Sequence, residues 1–232
     1  MKRRLLKMLC AGVMSLGVFL AHPEAKADVL WSANGLYIGY LSDGGYVQDS
    51  GSVATKHLYL SNYPVGTGVT GTYTLSAGSL SVAGNELIGG SGTGVFTQSG
   101  GTNSAGHLSL SYYSGSSGTY DLSAGSLSVV GGEMIGLSDW GAFTQTGGTN
   151  SVGGSLHLGE YSGSSGTYDL SAGLLSVAEN EIIGYSGTGT FNQSGGTNNV
   201  TTDIFLGHVS TGNGAYNLSG GVLTAGDDEY VG

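Results

Sequence analysis

Hydrophobic side chains in this sequence fall two residues apart in short runs, with three runs to a unit, and the unit returns along most of the chain. Tyr73/Leu75, Leu80/Val82 and the pair ending in Ile88 make up one such set. A period of two puts alternate side chains on one face of an extended backbone, so each run predicts a short strand. An aromatic residue marks every unit. Tyr46, Tyr73, Phe96, Tyr120, Phe143, Tyr168, Phe191 and Tyr216 recur every 23 to 27 residues, each with a glycine two positions before it and another five after it. A unit this small cannot bury an apolar face alone and must bury it against its neighbours. The expected fold is therefore all-β: a parallel β-helix, or β-solenoid, of about eight coils of 23–25 residues over residues 28–232. Stacking at the usual strand spacing of about 4.8 Å gives a rod roughly 40 Å long.

The units alternate between two types. One reads Gly-Thr-Tyr-Thr-Leu-Ser-Ala-Gly-Ser-Leu-Ser-Val from Gly71 to Val82, runs on to Glu86 and Ile88, and returns at Tyr120, Tyr168 and Tyr216. The other reads Gly-Val-Phe-Thr-Gln-Ser-Gly-Gly-Thr-Asn from Gly94 to Asn103, runs on to Leu108 and Leu110, and returns at Phe143 and Phe191. Tyr46 opens a degraded copy of the second type, and Leu36 to Gly39 looks like the tail of an earlier unit. Gly51, Gly78, Gly101, Gly125, Gly148, Gly173, Gly196 and Gly221 fall at corners, where a positive φ is expected. Residues Ser61 to Thr70, which include Pro64, lengthen one corner into a loop. The sequence reaches Gly232 in mid-coil, so the expectation is that the array continues beyond it or that its end docks on another chain.

The start of the chain has a different character. Lys2, Arg3, Arg4 and Lys7 precede an apolar run from Met8 to Ala21, and Ala25-Lys26-Ala27 has the small-x-small form of a cleavage site. Residues 1–27 thus read as a secretory signal peptide, with a mature chain from Asp28 and no membrane insertion after cleavage. The expected location is secreted, extracellular or at a bacterial cell surface. Cys10, the one cysteine, lies within this leader, so disulfides play no part in the mature fold. Lys56 is the only Lys or Arg after Asp28, against fifteen carboxylates. A polyanion of this kind repels phosphate backbones, which excludes nucleic acid as a partner.

Gly118 to Val129 (Gly-Thr-Tyr-Asp-Leu-Ser-Ala-Gly-Ser-Leu-Ser-Val) and Gly189 to Asn198 (Gly-Thr-Phe-Asn-Gln-Ser-Gly-Gly-Thr-Asn) resemble the repeats of bacterial secreted β-strand-repeat proteins. These include autotransporter-passenger-like repeats and surface proteins that carry a Pro-Glu-Pro sorting tail. The resemblance implies a β-solenoid at or outside the cell surface, of the adhesin-like kind. It specifies architecture and export, not an activity.

Glu86, Glu133, Glu181 and Glu229 recur at one position of the first type, where the second type has Leu58, Leu108, Leu156 and Ile204. They lie two coils apart, about 9.6 Å, too far to share one Ca²⁺, and are expected to accept backbone N–H bonds at corners. Gln48, Gln98, Gln145 and Gln193 are read in the same way, as satisfying turns. His57, His107, His157 and His208 fall at different points of their units and are expected at the surface, not around Zn²⁺. Asp121 and Asp169 flank Thr144 in an outward column. Their spacing of about 9.6 Å is at the edge of the roughly 6.5–9.5 Å used by inverting glycosidases, but both lie on the same kind of exposed strand, and Thr74, Thr97, Asn192 and Asn217 fill the same column. No catalytic, cofactor-binding or metal residue is assigned, and the chain is not expected to be an enzyme. Tyr63, Tyr113 and Tyr161 occupy one corner of successive second-type coils and are the candidates for stacking on a glycan. The leading expectation is an exported structural or adhesin-like module, ahead of a carbohydrate-binding solenoid and a β-helix glycan hydrolase.

Overall fold

The computed structural model describes residues 29–61 and 68–232, so the leader at 1–27 and the candidate Tyr63 lie outside the described residues. The described residues form twenty-four strands and no helix. They wind as a succession of three strands per coil, about eight coils of roughly 24 residues, into the expected parallel β-solenoid.

The three strands of each coil build three ladders along the rod. The first runs from Gly44–Gln48 to Asn213–Leu218 and forms an eight-stranded parallel sheet. The second runs from Ser52–Thr55 to Val222–Ala225, and the third from Gly35–Ile38 to Glu229–Val231. The second and third join in one sheet because Ser79–Ile88 and Thr102–Leu110 continue through the corner between them. Register is strict: Gly94, Gly118, Gly141, Gly166 and Gly189 pair in sequence, as do Phe96, Tyr120, Phe143, Tyr168 and Phe191. Corners stack too, with Ser123 N–H donating to Gln98 O at 2.9 Å and Ser126 N–H to Gly101 O at 3.0 Å. The turns therefore leave few backbone groups unmet.

The ring of each unit points inward from the first ladder. From Tyr73 to Tyr216 the rings stack with centroids 4.6–4.9 Å apart and planes within 3–8° of parallel. That spacing is the strand pitch itself, so backbone pairing and ring packing reinforce each other, each ring pair adding about 0.5–1.5 kcal/mol beyond area burial. Leucine, isoleucine and valine from the other two ladders complete a single continuous core.

The two glycines flanking each ring have separate causes. Gly148 has a φ of +69°, and a Cβ there would lie 2.7 Å from Gly125 O. All eight corner glycines share this positive φ, as expected. Gly118, two before its ring, faces inward, and a Cβ would run into the Ile88 carbonyl oxygen where the preceding coil turns its corner.

One feature at the N-terminal end lies outside the repeat. Val29–Ser32 pairs antiparallel with Gly35–Ile38, a hairpin that covers the first edge of the third ladder. Trp31 then meets the Tyr46 ring edge-on at 6.5 Å, at the end of the aromatic column.

Candidate functional site

The groups with the most perturbed chemistry are inside the rod. Glu133 and Glu181 begin strands of the third ladder and Glu86 lies within Ser79–Ile88; they pair with Leu156, Ile204 and Leu108 in turn and are wholly buried. This corrects the expectation that they sit at corners accepting backbone N–H bonds. Alternation along the strand turns Glu86 and Ile88 inward together, and the columns that they share with Leu58 and Leu108 and with Leu60 and Leu110 are part of the core.

Each buried glutamate meets an asparagine of the next coil. Asn103 Nδ2 lies 3.2 and 3.1 Å from the two carboxyl oxygens of Glu86, Asn150 Nδ2 is 3.1 Å from Glu133, and Asn198 Nδ2 is 2.9 Å from Glu181. The same amide donates to the hydroxyl of Tyr120, Tyr168 or Tyr216 at 3.2–3.3 Å. That hydroxyl donates to Gln98, Gln145 or Gln193 at 2.5–2.6 Å. The glutamine amide then donates to corner carbonyls, as Gln145 does to Gly148 O and Leu174 O at 3.4 and 3.0 Å. The glutamines thus satisfy turns, as expected, and also accept from a tyrosine.

These Glu-Asn-Tyr-Gln quartets explain the alternation of unit types. A second-type coil supplies Gln and Asn, the first-type coil before it supplies Glu, and the first-type coil after it supplies Tyr. Burial pushes the Glu86, Glu133 and Glu181 carboxyls up to about 8, against a smaller downward pull from the asparagine bond. They are therefore mostly neutral at pH 7. Asn150 Oδ1 and Glu133 Oε1 are buried acceptors with no donor, as are Asn198 Oδ1 and Glu181 Oε2. A proton on the carboxyl is the donor that satisfies such a pair. The first two quartets are closed to solvent and the third is partly open at Tyr216; their chemistry serves the stack.

The outer faces of the first two ladders carry mostly small side chains, whereas the third ladder's outer column holds Tyr37, Tyr59, Phe205 and Tyr230. Thr70, Thr93, Ser117, Trp140, Ser165, Thr188 and Asn213 form one outward column at the start of the first ladder, in which Trp140 is the single large side chain. It is 45 % exposed. The turns leading into the two adjacent strands carry Tyr113 and Tyr161, 47 % and 57 % exposed. Those turns are fixed: Ser116 Oγ donates to Tyr113 O at 2.6 Å, Ser164 Oγ to Tyr161 O at 2.7 Å, and Gly115 N–H to Asp139 Oδ2 at 2.8 Å. Asp139 also binds the backbone of Trp140, and its carbonyl accepts from Ser165 N–H. Three exposed aromatic residues thus share one edge of the rod on three successive coils. The sequence reading found Tyr113 and Tyr161 and missed Trp140. The available signal was a tryptophan in a column otherwise of Ser, Thr and Asn.

The remaining candidates are scattered. Asp121, Thr144 and Asp169 do align across the first ladder, with Asp169 accepting from Asn192 at 2.7 Å. The histidines divide among roles: His57 and His107 accept from Asn85 and Gly132 N–H, while His157 pairs with Glu160 at 2.6 Å and His208 stacks on Tyr185. Comparison with known proteins finds no matching family model, no matching curated protein and no matching solved structure.

Proposed function

We propose that the chain is an exported, non-enzymatic structural module, an adhesin-like acidic rod that displays a repeated surface outside a bacterial cell. The observation that carries this reading is the coil-to-coil register, shifted between Val82 and Asn85 where Ser79–Ile88 pairs with Thr102–Leu110, in which both the backbone corners and the buried quartets interlock from one coil to the next. Such a stack is stiff, and the outer columns of its first two ladders are dominated by Ser and Thr of the kind that presents a flat face. The leader-like residues 1–27 and the excess of carboxylates over the single Lys56 support export and colloidal solubility.

The test is to express the chain with its own first 27 residues in a bacterial host, fractionate the cells, and take intact masses. The expected product lies outside the cytoplasm and begins at Asp28. Retention in the cytoplasm, or an exported product that keeps Met8 to Ala21, would remove the basis of the proposal.

A further inference from the structure

We propose that the edge formed by Tyr113, Trp140 and Tyr161 binds a neutral polysaccharide chain lying along the rod. The inference rests on the exported-rod reading and names that rod's partner. Three features of this edge point to a sugar polymer.

The first is the state of the rings. The aromatic residues of the third ladder's outer face stack on each other, as Tyr37 does on Tyr59 and Phe205 on Tyr230, so their faces are already used. Tyr113 meets the Tyr112 ring edge-to-face at 4.9 Å, while among the described residues Trp140 and Tyr161 enter no ring pair, and all three remain about half exposed. A free ring face is what the apolar C–H face of a sugar packs against.

The second is the company the rings keep. Trp140 is flanked along the rod axis by the hydroxyls of Ser117 and Thr93 on one side and Ser165 and Thr188 on the other. These stand at the strand pitch of about 4.8 Å, and Tyr113 and Tyr161 lie two coils apart, about 10 Å, comparable to a disaccharide step of an extended glycan. An apolar platform with a few hydrogen-bonding groups beside it is the usual make-up of a small-ligand site. The turns that carry the tyrosines are tied down by Ser116, Ser164 and Asp139, so little ordering is left for binding to offset.

The third is charge. The edge has no Lys or Arg, and the chain after Asp28 has only Lys56, so an anionic polymer is repelled. A cationic partner is the other candidate for rings beside a carboxylate. Both oxygens of Asp139 already accept backbone N–H groups, from Gly115 and Trp140, which engages that charge within the fold. The uncharged hydroxyl columns favour a neutral polyol.

The test uses the purified chain with Trp31→Phe, which leaves Trp140 as the only tryptophan. Hydroxyethylcellulose, galactomannan and laminarin serve as neutral probes, and a lysine-rich peptide as the cationic one. At least one neutral polysaccharide should shift Trp140 emission to shorter wavelength and retard the protein in an affinity gel. Trp140→Ala, and separately the pair Tyr113→Ala with Tyr161→Ala, should weaken retardation at least tenfold with the melting midpoint unchanged. Three results would overturn the proposal: no retardation by any neutral probe, an emission response to the lysine-rich peptide alone, or variants that melt earlier while retardation persists. Because the assay uses purified protein, a failure here leaves the export result standing, and a failure of export leaves this result standing.

Discussion

Replacing Glu133 by Gln should make the rod more stable at pH 8 and leave it nearly unchanged at pH 4.5. In the fold, burial raises the Glu133 carboxyl from 4.5 to about 8. Between those values the unfolded chain releases the proton and the folded chain keeps it, so the folded state binds more protons and stability falls as pH rises. The loss begins near pH 4.5 and is complete above about pH 8. At 1.36 kcal/mol for each pH unit it reaches about 3 kcal/mol per glutamate by pH 7 and about 5 kcal/mol at its limit. Glutamine has the shape of the protonated acid and can both accept from Asn150 Nδ2 and donate to Asn150 Oδ1, so the quartet survives without a titrating group. Thermal melts followed by circular dichroism at pH 4.5 and pH 8 measure the difference. For a chain of this size, the loss of about 4 kcal/mol reached at pH 8 corresponds to roughly 8–16 °C in midpoint. Infrared spectra should show the band of a protonated carboxyl in the parent at pH 6, weaker by one group in the variant. Should Glu133→Gln melt earlier than the parent at pH 8, the carboxyl would have to be ionised and favourably held, and the neutral-acid account would be wrong.

Other expectations follow from the same structure. Asn150→Leu alone takes the amide donor from Glu133 and from the Tyr168 hydroxyl, the hydroxyl keeping its bond to Gln145, and should cost about 1–3 kcal/mol. Adding Glu133→Leu removes one of the groups left without that donor and gives both positions the residue that the sister coils have at Leu127 and Leu156, so a double-mutant cycle in denaturant should show the pair less destabilising than the sum. An additive result would mean that the two side chains do not act together. Gly148→Val must place a Cβ 2.7 Å from Gly125 O at a φ of +69° and should cost more than about 2 kcal/mol, whereas Thr144→Val on the outer face of the same coil should stay within about 0.5 kcal/mol. Equal melting midpoints for those two variants would contradict the corner assignment. Tyr120→Phe keeps the ring stack but removes the hydroxyl joining Asn103 to Gln98, and its melt should be lower than that of the parent by an amount equivalent to about 1–3 kcal/mol.

The coil architecture was legible in the sequence because a solenoid repeats local instructions. The period-two runs give the strands, the ring gives the inward direction of the first ladder, and each corner glycine marks a backbone conformation that a Cβ penalises. All of these act within a few residues, so they survive in a linear reading. The interior quartets were not legible. Glu133 and Asn150 are 17 residues apart on different ladders of adjacent coils, and they meet only because the cross-section closes and turns both inward. Their sequence signal, a glutamate exchanging with leucine every second coil, was visible but was assigned to corners, because charge normally predicts exposure and an isolated sequence cannot show burial raising a pKa. The exposed edge has the same cause. Trp140 lies at a strand start and Tyr113 and Tyr161 in turns, at different places in their units, and only the stacking of coils brings them to one side of the rod. Periodicity decides what repeats; the closure of each coil and the register between coils decide which side chains face one another, since those contacts join residues that no local pattern connects.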